Sequence, residues 1–283
     1  MKKILFTIMA LGTIFSVAEA RKVSGSVISG EEKLSGVVVT DGTNFTQTNK
    51  NGKFSFDIKD DAEFVYIVTP AGYAGDWSEG VPAFFRKAQG VSKFTFDLVK
   101  TETSGNYEII AVGDPQPYSE EHFIQFAGEP LEDLSQTAKS LGLSAVGVAL
   151  GDISWDEPAR LDDWKREIVR TCIPFYPVIG NHDHVRAQGG DLQSSAEYRK
   201  KMCPENYAFF IGKDIVIMLD NIIHGLRSRH NYTEGYTEEQ LAWVKALLKH
   251  IPKDGTVYVG QHSPTNGRAY LSGGQETDLI LRG

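Results

Sequence analysis

Four short polar segments, each closing an apolar run, constrain this chain more than any other feature. They are Gly113-Asp114-Pro115-Gln116, Gly151-Asp152, Gly180-Asn181-His182-Asp183 and Gln261-His262. The runs before them, residues 108–112, 145–150, 175–179 and 256–259, read as buried strands because they are short and mostly apolar. A carboxylate directly after a buried strand is poorly solvated and needs a cation, a helix N-terminus or a set of donors. Carboxylates, an amide and imidazole are therefore expected to gather at one sheet edge.

The stretches between these strands read as helices. Residues 121–141 form one or two helices, 157–172 another, and 193–202 a further one. Residues 207–210 and 215–219 look like an antiparallel pair around Gly212. Thr237 to Gln240 has the form of a capping box, and it opens a helix with Leu241, Val244, Leu247 and Leu248 on one face. Strands alternating with helices imply right-handed crossovers and mostly parallel pairing. In such sheets ligands sit beyond the carboxyl ends of the strands, where all four polar segments fall.

Residues 21–100 follow a different rule. Phe54, Phe56 and Ile58 alternate with Ser55 and Asp57, and Phe94, Phe96 and Leu98 do the same. Period-two alternation marks strands with one buried face. Strands are expected at 22–28, 36–40, 53–58, 64–68 and 93–98, with Asn51-Gly52 as a hairpin signal. That many short strands in about 80 residues suggest a small all-β sandwich. Its pattern of Gly-x-Val, Leu-x-Gly-Val-x-Val and Asn-Gly-x-Phe resembles the transthyretin-like and carboxypeptidase-regulatory sandwich domains, which implies a spacer or docking role. Residues 101–106 form a polar linker, and 107–283 carry the α/β part.

At the start, Lys2 and Lys3, an apolar stretch over 4–17 and Ala18-Glu19-Ala20 make up a signal peptide, residues 1–20, removed near Arg21. Export to the periplasm or the extracellular space is expected, with no integral membrane segment afterwards. The formal charge of -8 argues against specific nucleic-acid binding, since phosphate affinity comes mainly from Lys and Arg. Cys172 and Cys203 flank the Asn181-His182 segment, and sequence leaves open whether they pair or stand apart as buried thiols. Asn44 and Asn231 open glycosylation sequons, which matter only in a host that modifies them.

Taken singly, each polar segment has a bland reading. Asp114 or Asp152 alone would be an N-cap more often than a ligand. An Asn-His pair is usually a turn, and a lone His262 is usually structural. In successive βα units, the two carboxylates favour a shared cation. Asn181 adds a neutral oxygen, and His262 adds imidazole, a common transition-metal donor.

The combination resembles the calcineurin-like metallophosphoesterase superfamily, whose blocks run Asp-x-His or Asp-x-Gln, Gly-Asp, Gly-Asn-His-Asp/Glu, His, and Gly-His-x-His. The match spans residues 107–264, and the exported N-terminal sandwich is similar to that of secreted bacterial members. The resemblance implies an αββα sandwich of mixed sheets and a substrate that is a phosphorylated small molecule or phosphodiester. It also implies two divalent ions, manganese, iron or zinc, that generate hydroxide for attack on phosphorus. By the same resemblance Asp114 and Gln116 bind the first metal, Asp152 bridges, and Asn181 and His262 bind the second. His182 is the acid facing the leaving group, with Asp183 or Asp156 orienting it.

Three departures stand out. Gln116 replaces the more usual histidine. Trp155 stands where purple acid phosphatases carry a metal-binding tyrosine, and indole cannot ligate. No Gly-His-x-His follows His262, so the catalytic domain is expected to be incomplete at its C-terminus. The competing expectation is a non-catalytic exported binding protein, or an inactive fragment, that keeps the phosphoesterase fold. His122, His224, His230 and His250 show no ligand spacing, and His184 is expected at the substrate side or the surface. Tyr118, Trp155 and His224 are candidates for lining the pocket.

Overall fold

The computed structural model describes residues 20–225 and 232–264. The expected signal peptide over 1–20, apart from Ala20, together with Asn231 of its sequon and the C-terminal expectation about 265–283, lies outside the described residues. Among those described, no helix is long and apolar enough to cross a membrane.

The first part is a two-sheet β-sandwich. Its strands are β1 (Ala20–Ser29), β2 (Glu32–Lys33), β3 (Val38–Thr40), β4 (Phe45–Gln47), β5 (Lys53–Lys59), β6 (Phe64–Ile67), β7 (Tyr73–Gly75), β8 (Phe85–Lys87) and β9 (Lys93–Lys100). One sheet runs β2-β1-β9-β7 with β5 also on β1; the other runs β4-β3-β6-β8. Alternation decides which side chains face inward: Phe54 and Ile58 of β5, and Phe94, Phe96 and Leu98 of β9, are all buried. The short strands β2, β4, β7 and β8 carry too few alternating residues to be read from sequence.

The α/β part follows as β10 (Glu108–Val112), α1 (Glu120–Gly128), α2 (Pro130–Leu141), β11 (Ala145–Leu150), α3 (Ala159–Ile168), β12 (Phe175–Val178), α4 (Asp191–Ser194), α5 (Ala196–Lys201), β13 (Tyr207–Ile211), β14 (Asp214–Met218), β15 (Ile222–His224), β16 (Tyr232–Glu234), α6 (Glu238–Leu247) and β17 (Val257–Gly260). Strands β10, β11 and β12 form a parallel sheet. In the second sheet β14 pairs antiparallel with β13 and parallel with β17. The two sheets meet through aromatic contacts such as Tyr176 stacked on Phe209, ring centroids 3.9 Å apart. On the other side of β12, Trp164 of α3 packs edge-on against Phe175. The Thr237 capping box is present, and α6 buries Leu241, Trp243, Val244 and Leu247. The single helix expected over 193–202 is instead two short ones, α4 and α5, broken at Ser195.

The sandwich is packed into the α/β part rather than tethered to it. Thr69 bridges Phe209 as an added parallel partner of β13, and the Phe210 amide donates to the Thr69 carbonyl at 2.8 Å. Fully buried Phe84 lies against Tyr207 and Tyr176, at centroid distances of 4.5 and 5.9 Å. Arg199 pairs with both Glu63 and Glu205, at 2.7 and 2.9 Å. The 101–106 connector is pinned too, by Glu102 N–H to the Leu143 carbonyl and Gly212 N–H to the Thr103 carbonyl. One hydrophobic core therefore runs through both parts. A cleft of about 340 Å³ between them, lined by Glu63, Tyr66, Glu205 and Trp243 among others, contains none of the four polar segments.

Cys172 and Cys203 are both free, the first exposed and the second buried, so no disulfide ties the loop between them. Burial pushes the Cys203 thiol up to about 12. Titration with a thiol-reactive chromogen should therefore count one thiol in the folded chain and two in denaturant; two fast-reacting thiols in the native protein would contradict this packing. Phe84→Ala should destabilise the whole chain by about 3–5 kcal/mol in a single cooperative denaturation transition. A loss under about 1 kcal/mol would mean that the two parts do not share a core.

Candidate metal centre

The polar segments sit where the strands end. Asp114 and Gln116 follow β10, Asp152 follows β11, Asn181 to Asp183 follow β12, and His262 follows β17. Each chain segment must turn sharply there, and the backbone records it. Of the five non-glycine residues with positive φ among those described, four are Asp114 (50°), Gln116 (22°), Asp152 (50°) and Asp156 (53°). Asp and Asn tolerate this region better than most residues, yet each such position costs on the order of 1–3 kcal/mol. Such a cluster of strain is typical of a functional site.

Backbone contacts lock the turns to one another. The Gln116 amide donates to the Asp152 carbonyl at 2.9 Å, and the Asp156 amide donates to the His182 carbonyl at 3.0 Å. The His182 amide donates to Asp152 Oδ1 at 2.9 Å. The loops after β11 and β12 approach so closely that a Cβ on Gly180 would sit 2.2 Å from the Asp152 nitrogen and 2.3 Å from its Oδ1. A Cβ on Gly151, whose φ is +84°, would meet Gly180 Cα and His262 Nδ1 at 2.8 Å. These two glycines admit the contact that seats Asp152.

The ligand atoms of Asp114, Asp152 and His262 all lie within 4.8 Å of one another. His262 Nδ1 lies 2.9 Å from the Leu150 carbonyl, which can only accept, so Nδ1 carries a proton. In the neutral ring Nε2 then presents a lone pair. That lone pair faces Asn181 Oδ1 at 3.0 Å and Asp152 Oδ1 at 3.5 Å. Acceptors converging on acceptors is an arrangement that a cation completes. Gln116 supports the same fit: its Nε2 donates to Asp114 Oδ1 at 3.0 Å, and its Oε1 is buried with no partner. A buried amide oxygen without a donor is costly unless a cation takes it. The donor set of carboxylate, amide oxygen and imidazole suits divalent ions such as manganese, iron or zinc.

Burial shapes the charges. Asp152 is 2% exposed, and burial raises its pKa against the opposing pull of His262 and the His182 amide. A carboxylate so placed gains from a neighbouring cation. Asp183 is equally buried, and burial pushes it up to about 7. Its oxygens accept from the backbone amides of Ile153, Ser154 and Gly180, at 3.2, 2.8 and 2.9 Å. It thereby holds the turn after β11 against the turn after β12. The side chain on His182 Nδ1 is Asp156, at 3.1 Å. Of the two carboxylates that sequence left open as partners of this imidazole, the geometry selects Asp156.

Other contacts escaped the sequence reading. Trp155 stacks on the His182 ring, centroids 3.9 Å apart and planes inclined by 17°. Fully buried Asn221 clasps the backbone after His262, accepting from Ser263 N–H at 3.2 Å and donating to its carbonyl at 2.6 Å. His184, expected at the substrate side or the surface, is 1% exposed. Its Nδ1 lies 2.8 Å from Ser194 Oγ, and its ring packs on that of His224, itself buried. Burial, then His224, push the His184 pKa down to about 2, so the ring is neutral. His224 packs with His184, whereas Tyr118 and Trp155 are exposed.

Two family models match. Residues 107–283 match the calcineurin-like phosphoesterase model, and residues 21–101 match the model described as the N terminal of calcineurin-like phosphoesterase. The chain belongs to the calcineurin-like phosphoesterase family, with the N-terminal domain that accompanies it. No curated protein matches the chain significantly.

Gly180→Ala tests the close contact directly. It should weaken manganese binding by about 10–100-fold, as loss of an outer-shell support typically does. Calorimetry of the metal-free protein measures this, and circular dichroism checks that the fold persists. Unchanged affinity would mean that the Gly180–Asp152 contact does not position the ligands.

Proposed function

We propose that this chain is an exported two-cation phosphoesterase that hydrolyses a phosphomonoester or phosphodiester. The observation that carries this reading is the convergence of Asp114, Asp152 and His262 beside Asn181 and the orphaned Gln116 oxygen. Asp114 and Gln116 would hold one cation, Asn181 and His262 the other, and Asp152 would bridge them. When bound, the cations supply Lewis acidity, which eases ionisation of the attacking water and offsets phosphate charge. Family membership supports the reaction class. The Lys2-Lys3, apolar and Ala18-Glu19-Ala20 pattern supports export. Cleavage after Ala20 would leave Arg21 on β1, where its guanidinium donates to the Val91 carbonyl at 2.7 Å.

The chain's own groups then have distinct tasks. As imidazolium, His182 has two N–H groups. Nδ1–H is engaged by Asp156, which fixes the ring, and Nε2–H is the group that would protonate the leaving oxygen. Oxygen from water forms the new bond to phosphorus, and the bond from phosphorus to the leaving oxygen breaks. That oxygen takes the Nε2 proton. The proton lost by water passes to solvent and restores His182 for the next cycle. Asp183 acts indirectly, by holding the two turns that present Asp152 and His182.

Hydrolysis of a chromogenic bis-aryl phosphate with added manganese tests the reading. Activity should vanish with chelator, return with manganese, and fall by about 10²-fold or more in Asp152→Ala. Activity that survives both chelator and Asp152→Ala would overturn the mechanism. Tight metal binding with no hydrolysis of any phosphate ester would instead indicate a binding protein built on the same fold.

A further inference from the structure

We infer that Trp155 is a positioning residue for proton delivery: its indole, stacked on the His182 ring, holds that imidazole in the plane from which it protonates the leaving group. The inference rests on the reading of His182 as the proton donor.

His182 is held at three points, one on its main chain and two on its ring, by residues of the segment after β11. Asp152 Oδ1 accepts from its main-chain N–H at 2.9 Å. Asp156 Oδ1 lies 3.1 Å from Nδ1. Trp155 covers a ring face at 3.9 Å. A single hydrogen bond at Nδ1 leaves the ring able to rock about that contact, and a stacked aromatic face restricts that motion.

Trp155 is itself rigidly mounted. Asp183 accepts from Ile153 and Ser154 N–H just before it, and Asp156 N–H donates to the His182 carbonyl just after it. The left-handed turn at Asp156, φ 53°, lets Trp155 and Asp156 approach one imidazole from two directions although they are adjacent in sequence. Both the stacking and the hydrogen-bonding partner thus come from one dipeptide, clipped to the histidine's own loop. Trp155 remains 44% exposed, so its contribution to the core is small and its contact with His182 stands out. A misplacement of about 1 Å in such a group is enough to cost about a hundredfold in rate.

The test compares Trp155→Ala and Trp155→Phe with the wild-type chain, loaded with manganese. Two esters are used, one with a p-nitrophenolate leaving group and one with an alkoxide leaving group that needs a proton. Trp155→Ala should lower kcat by about 10–100-fold on the alkyl ester and less than about threefold on the aryl ester, with KM little changed. Trp155→Phe should recover most of the loss, because phenyl also stacks. Equal losses on both esters, or none, would overturn the inference. A second readout does not depend on turnover. In the metal-free protein, the His182 ring-proton resonances should lie upfield under the indole, and the Nδ1 signal should show its hydrogen bond to Asp156. Trp155→Ala should abolish both features, and Trp155→Phe should keep both, with a smaller upfield shift. Unchanged His182 resonances in Trp155→Ala would overturn the inference whatever the kinetics. If Asp152→Ala and chelation leave hydrolysis intact, the phosphoesterase mechanism fails first; if they abolish it while the leaving-group dependence is unmoved, only the role of Trp155 fails.

Discussion

The contact between the turn after β11 and the turn after β12 governs the rest of the site. No side chain fits between Gly180 and Asp152, so the Asp152 carboxylate is driven into the protein, with the His182 amide and the His262 ring beside it. Burial then makes the bare charge unfavourable, and nearby acceptors add to the imbalance. The polypeptide holds together a set of oxygen and nitrogen lone pairs that would repel one another without positive charge among them. The strain at Asp114, Gln116, Asp152 and Asp156 is the conformational counterpart of that arrangement.

Much of this was legible in the sequence, because both signals are local. Apolar runs of four to six residues reveal strands, and the polar residue that ends each run falls at a sheet edge by topology alone. The alternation in β5 and β9 likewise fixed which side chains of the sandwich point inward. Other parts depend on distances that no spacing rule encodes. Asp156 and Asp183 are both close to His182 along or across the chain, and only the three-dimensional turn decides between them. His184 follows the motif like a surface residue, yet the chain beyond it folds Ser194 and His224 over the ring. The Trp155–His182 stack depends on a left-handed residue whose side chain gives little notice of it. The sandwich could be read as a separate module because its pattern is self-contained; Phe84 and Thr69 show no periodicity that announces a neighbour in another part of the chain.

Two acidic side chains near one histidine illustrate how environment assigns work. Asp183 is enclosed, and backbone amides occupy its oxygens, so it serves as a fastener between turns. Asp156 is half in solvent, with a side chain 42% exposed, and it contacts the ring nitrogen directly. The same functional group serves as scaffold in one place and as partner in the other. Burial and donor count make the difference.

The seam at Thr69 and Phe209 has a consequence for how this architecture can vary. Because Phe84 enters a seat built by Tyr176 and Tyr207, a front domain borrowed from another protein would bring a mismatched plug to that seat. Shuffling of the two halves is thereby discouraged unless both sides of the seam change together, and descent of the pair as one inherited unit is the natural outcome.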